Sequence, residues 1–227
     1  REQPLRESLS LLYRELADYC EAKYSMLTQH ADPEKALPPL LVRQQKAVDL
    51  ITQCYQQMHM LSAHRNNDYK RLLRAFQEAL DLQEHISVSL HQPEEVQKLV
   101  ERSHAEQVIR WNARTVAERL RVLADDILYH RLPTRFSMDK QIGTLEKIAN
   151  QHPDNPVGQF CYWHFSRIAR VLRTQRPLYP RDLMADKQKR LPLSSWPPPL
   201  QVNFYVWEAA PPLPPHILPF GQSHLYF

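Results

Sequence analysis

Apolar residues recur along most of this chain at the spacing of α-helices buried on one face. After Pro4, a residue suited to a first helical turn, Leu5, Leu9, Leu12, Leu16, Tyr19 and Leu27 define an amphipathic helix expected over residues 4–29. His30-Ala31-Asp32-Pro33 is expected to end it. A second helix is expected after Pro38-Pro39, with Leu40, Leu41, Val48, Ile51, Cys54, Tyr55, Met58 and Leu61 inward and Arg43, Lys46, Asp49 and Gln53 outward. A third begins near the capping residues Asn66-Asn67-Asp68 and carries Tyr69, Leu72, Leu73, Phe76, Leu80, Ile86 and Leu90. It is expected to stop at Gln92-Pro93, because the residue before a proline is pushed out of the helical region.

From Glu94 the pattern continues through Val96, Leu99, Ala113, Val116, Leu120, Leu123 and Ile127 to about Arg131, as one long helix or as two joined near Arg102-Ser103-His104. Ser137 is expected to cap a shorter helix with Met138, Ile142, Leu145 and Ile148 inward. Asn155-Pro156 opens a last one with Phe160, Cys161, Phe165, Ile168 and Leu172 inward. Six or so helices with short polar connections describe an all-α antiparallel bundle over residues 1–190, without an internal repeat. Residues 191–227 differ: they hold nine of the 19 prolines and one charged residue, Glu208, beside Trp196, Phe204, Tyr205 and Trp207. Proline at that density cannot propagate a helix. The segment reads either as a non-native, out-of-frame tail or as an extended piece packed on the bundle.

Composition sharpens this picture. Gly143, Gly158 and Gly221 are the only glycines in 227 residues, which disfavours tight hairpins and phosphate-cradling loops. Cys20, Cys54 and Cys161 are odd in number and fall at apolar helical positions, as expected of buried thiols in a reducing compartment. No apolar run approaches the roughly 20 residues of a spanning helix, and Arg1-Glu2-Gln3-Pro4-Leu5-Arg6 lacks the apolar stretch of a signal peptide. As given, the chain is expected to be soluble.

Candidate chemistry is sparse. Asp126 and His130 lie one helical turn apart, but a zinc site draws three or four ligands, and neither a His-Glu-x-x-His nor a Cys-x-x-Cys occurs. His85, in Gln83-Glu84-His85-Ile86, could accept a phosphoryl group on a bundle, and reads better as a surface histidine beside a core isoleucine. Cys161 and His164 offer a thiol and a base three residues apart, yet Phe160, Tyr162, Trp163 and Phe165 around them suit packing. Arg110, Arg114, Arg121, Arg131 and Arg135 could face nucleic acid, but Glu118, Asp125 and Asp126 are interspersed as on a solvated helix face. The net charge is +4, and its excess is concentrated in Arg167, Arg170, Arg173, Arg176, Arg181, Lys187, Lys189 and Arg190, opposed there only by Asp182 and Asp186. Such a cluster is expected close to a membrane, where cytoplasmic flanks of spanning helices carry Lys and Arg.

Two stretches resemble a known family. Pro4-Leu5-Arg6-Glu7-Ser8-Leu9, Leu12-Tyr13-Arg14-Glu15-Leu16-Ala17-Asp18-Tyr19 and Glu21-Ala22-Lys23 are similar to the segment that follows the first membrane block in YccS/YhfK-type members of the fusaric-acid-resistance-like (FUSC) inner-membrane family. Leu61-Ser62-Ala63-His64-Arg65-Asn66-Asn67-Asp68-Tyr69 and Phe76-Gln77-Glu78-Ala79-Leu80-Asp81-Leu82-Gln83-Glu84 look like the same family, and the resemblance covers about residues 1–190. It implies a soluble helical region on the cytoplasmic side between two membrane blocks, in a transporter exporting small organic or aromatic acids. No catalytic residues are carried over.

The expectation is therefore a domain that is not an enzyme, with no cofactor, no metal and no nucleic-acid partner. Its partners would be the membrane blocks of the same polypeptide and further copies of itself, and its role would lie in assembly or gating. The rival reading is a stand-alone helical adaptor that offers Pro211-Pro212-Leu213-Pro214-Pro215 as a polyproline ligand.

Overall fold

A computed structural model describes residues 2–29, 32–61, 67–87, 97–98, 100–101, 105–153 and 156–174. Six helices follow one another among them: α1 (Gln3–Thr28), α2 (Pro33–Leu61), α3 (Asn67–Ser87), α4 (Glu106–Leu128), α5 (Asp139–Gln151) and α6 (Pro156–Thr174). The described residues include no strand, so the protein is all-α. The expected third-helix end at Gln92-Pro93, the join at 102–104 and the whole 191–227 tail lie outside the described residues.

α1 is the centre of the bundle, with α2, α3 and α4 packed around it. Leu5, Leu9, Leu12, Tyr13, Leu16 and Cys20 are fully buried, and so, to within a few per cent, are Ser8, Ser10, Glu15 and Lys23. Beyond its first turn only the stripe of Glu7, Leu11 and Arg14 stays exposed, so α1 is amphipathic with an unusually wide buried face. Each leucine buried there contributes roughly 1.5–3 kcal/mol through the apolar surface it removes from water.

The direction of each neighbour follows from its side-chain partners. On α2, Arg43 pairs with Glu15 at 3.2 Å and with Asp18 at 3.4 Å, and Lys46 pairs with Glu15 at 2.5 Å, so residue numbers fall on one helix as they rise on the other. α4 is antiparallel to α1 too, through Arg121 with Asp18 and Glu21 and Arg14 with Asp125. α3 is parallel to α1. Arg6 meets Asp68 at 3.0 Å, the Tyr13 hydroxyl donates to the Ala75 carbonyl at 2.8 Å, and Lys23 donates to the Ile86 carbonyl at 2.6 Å, a nearly constant offset along the whole pair. α2 and α4 therefore run antiparallel to α1, and α3 runs parallel to it.

α2 corrects one sequence expectation. It starts at Pro33 and runs through Pro38 and Pro39 rather than beginning after them. Asp32 supplies the start: its carboxylate accepts the Glu34 N–H at 3.1 Å, and its carbonyl accepts the N–H groups of Lys35 and Ala36. The two internal prolines each remove a helical bond, but both are exposed, where water can take up the freed carbonyls. The inward stripe also shifts. Leu40, Ala47, Leu50, Cys54 and Met58 are buried, whereas Leu41 is half exposed.

α4 ends at Leu128, short of the expected Arg131, in a Schellman turn. The Arg131 N–H reaches the Asp126 carbonyl at 2.8 Å and the His130 N–H reaches Ile127 at 3.5 Å, with His130 at φ 58°. The following loop is held by Arg119, which donates to the Thr134 carbonyl at 2.8 Å and to its hydroxyl at 3.2 Å and lies over the Phe136 ring. α5 starts one residue later than expected, with Met138 in the cap position, and Ser137 just before it accepts the Asp139 N–H at 3.1 Å. α5 and α6 form a hairpin in which Gly158 allows close approach: a Cβ there would stand 3.3 Å from the Ala149 Cα.

Candidate functional site

The last described turn of α3 packs against α1 and α6, and it gathers most of the unusual side chains among the described residues. Lys23 from α1 donates to the Ile86 carbonyl at 2.6 Å. His164 from α6 lies close to the His85 backbone. Tyr24, whose ring is tilted against that of Phe165 with centroids 4.7 Å apart, closes the group.

These groups are deeply buried: Lys23 is 4 % exposed, His164 3 % and Tyr24 1 %. Burial pulls the Lys23 ammonium down to about 8, with the Cys20 and Cys161 thiols opposing. Burial likewise pulls His164 down to about 3, helped by the Lys23 charge, so the imidazole is neutral at ordinary pH. The Cys161 thiol is pushed up to about 12 by burial, against the pull of Lys23. A thiol held protonated and an imidazole held neutral by burial lack the thiolate of an activated nucleophile. Cys20 and Cys54 are also free, buried and pushed up to about 12.

Lys23 was missed by sequence reasoning, although a signal was present. It follows Leu9, Leu12, Leu16 and Cys20 on the apolar side of α1, where a lysine is out of place unless its ammonium has a buried acceptor.

The structure separates Asp126 and His130. Asp126 is 7 % exposed and pairs with Arg131 at 3.1 Å; burial raises its carboxyl above the usual range, against the pull of Arg131 and Arg119. His130 turns instead toward Asp68, at 4.0 Å. Among the described residues no three His, Cys, Asp or Glu side chains come together as a metal site would need. His85 is half-buried beside the fully buried Ile86.

The arginines of α4 are distributed among acids: Arg114 pairs with Glu118 at 3.3 Å and Arg121 with Asp18 and Glu21. α6 is different, since it contains no acidic residue. Arg167, Arg170 and Arg173 are exposed on it. The Arg167 guanidinium lies 3.4 Å from the centre of the Trp163 ring, which is itself 50 % exposed. Arg173 pairs with Asp139 of α5. Arg176, Arg181, Lys187, Lys189 and Arg190 of the same basic cluster lie outside the described residues.

Among the described residues, no helix is long and apolar enough to cross a membrane. Residues 1–183 match the family described as FUSC-like inner membrane protein yccS. Over 193 residues, 85 % of the chain, the sequence is 90 % identical to a protein of Escherichia coli (strain K12) named "Uncharacterized protein YhfK". The chain spans 28 % of the length of that relative. No solved structure matches it.

Proposed function

The chain belongs to the FUSC-like family of inner-membrane proteins, and from that premise we propose that it is a non-catalytic helical domain on the cytoplasmic face of the membrane, serving assembly or gating of a transporter. The transported class would be small organic or aromatic acids, and the domain would work between membrane blocks of the same polypeptide, in a homo-oligomer. The observation that carries this reading is the close identity to barely more than a quarter of a much longer relative, in a segment whose described helices lack a membrane span. Buried Lys23 and Glu15 are spent on a carbonyl and on ion pairs of neighbouring helices, which suits a scaffold that transmits force between blocks. The adaptor reading rested on Pro211–Pro215, which lie outside the described residues, and the long relative speaks for a domain of a larger protein instead.

Cysteine labelling of the intact protein in cells tests the placement. The native thiols are buried, so a cysteine introduced at the exposed Glu118 provides the reactive site. A membrane-impermeant maleimide should label Glu118→Cys only after the inner membrane is opened. Labelling in intact spheroplasts would contradict a cytoplasmic location.

A further inference from the structure

We infer that the outer face of α6 is a docking surface for anionic phospholipid headgroups, with Trp163, Arg167 and Arg170 as its contact residues. The inference rests on the domain lying beside the membrane. Arg167 follows Trp163 by four residues and Arg170 by seven, so the three side chains share one stripe of the helix. Val157, Cys161, Phe165, Ile168 and Leu172 form the opposite, buried stripe. The exposed stripe spans about 10 Å of helix axis, which lets all three side chains touch a flat surface at once.

The chemistry of the stripe selects the occupant. Among the described residues neither Arg167 nor Arg170 makes an ion pair, and no Asp or Glu occurs in the sequence between Asp154 and Asp182. That is unlike α4, where exposed arginines alternate with acids. A half-exposed indole costs free energy in water, but at a headgroup boundary its ring meets apolar chains and its N–H meets phosphate or water. Stacking Arg167 on that ring keeps a cation beside the indole, in the arrangement an anionic interface rewards. The paired Arg173 is set by Asp139 and stands apart from the stripe.

Co-sedimentation of the purified 227-residue chain with lipid vesicles tests this. Vesicles of phosphatidylcholine with phosphatidylglycerol should carry the chain down at low salt and release it at high salt, whereas pure phosphatidylcholine should not bind it. Reversing Arg167→Glu together with Arg170→Glu should weaken partitioning roughly 30-fold or more, taking about five-fold for each basic residue near the surface. Trp163→Ala should weaken it several-fold at fixed salt. The control is Arg110→Glu with Arg114→Glu, the same charge change on exposed positions of α4, which should lose far less. Equal losses in the two doubles would overturn the inference, because net charge alone would then explain binding. Absence of binding to anionic vesicles, or equal binding to neutral ones, would overturn it as well. So would capture of duplex DNA in preference to vesicles that is lost in the α6 double. None of these outcomes touches the maleimide result, so the placement of the domain and its lipid contact can fail separately.

Discussion

The Lys23 ammonium donates to the Ile86 carbonyl at 2.6 Å, and that bond joins the central helix to the helix running parallel to it. A long stem lets the lysine carry its ammonium through apolar surroundings to that buried acceptor. The arrangement carries a penalty, since the charge is desolvated and the Lys23 pKa falls from 10.5 to about 8.

That fall fixes a pH dependence. Between about pH 8 and 10.5 the unfolded chain holds a proton on Lys23 that the folded chain has lost, so this residue makes stability rise with pH across that window. The rise amounts to roughly 1 kcal/mol per pH unit within it. The three thiols work the other way from about pH 9, because their folded values near 12 lie above the ordinary 9.0. Urea midpoints measured from pH 7 to 9 should show a gain in the wild type that Lys23→Met lacks. Identical slopes in the two proteins would show that the ammonium is not buried as described.

His164 makes the corresponding prediction in acid. Its folded value of about 3 lies below the ordinary 6.5, so between those limits the unfolded chain binds a proton that the folded one refuses. Stability from this residue is intact above pH 6.5 and is lost as pH falls toward 3, by roughly 3 kcal/mol at pH 4.5. His164→Gln should start from a less stable protein at pH 7 but show a shallower loss between pH 6.5 and 4.5. Comparison of the two denaturation series cancels the carboxylates they share.

The Schellman turn at the end of α4 yields a stabilising change. His130 holds φ 58°, a left-handed conformation that glycine adopts without steric cost. Its side chain is exposed and approaches Asp68 only at 4.0 Å, so little is lost with it. His130→Gly should raise stability by about 0.5–1 kcal/mol, seen as a higher melting temperature. A lower one would mean that the Asp68 contact outweighs the backbone strain.

How much of this was legible in sequence depended on whether a residue's role was local. The stripes of α1 and α6 were readable, because helical period is a short-range property. In α3, by contrast, the expected Leu73 and Leu80 are half-buried, and Ala79 and Leu82 are buried instead. Asp32-Pro33 closes one helix and begins the next at once, and the local pattern of Pro38-Pro39 imitates a later start. The near-complete burial of α1 was hidden by Ser8, Ser10, Glu15 and Lys23, which look like a wet face. Glu15 is covered because Arg43 and Lys46 arrive from α2, and Lys23 because α3 packs against it at Ile86. Both depend on long-range register, which no local pattern records.

Native-state hydrogen exchange tests the central claim most directly, namely that α1 is the enclosed core around which the other helices are arranged. Amides from Leu9 to Cys20 should exchange only through global unfolding, well after those of α5, where just Leu145 and Ala149 are buried. Exchange in α1 as fast as in Asp139–Gln151 would contradict the account.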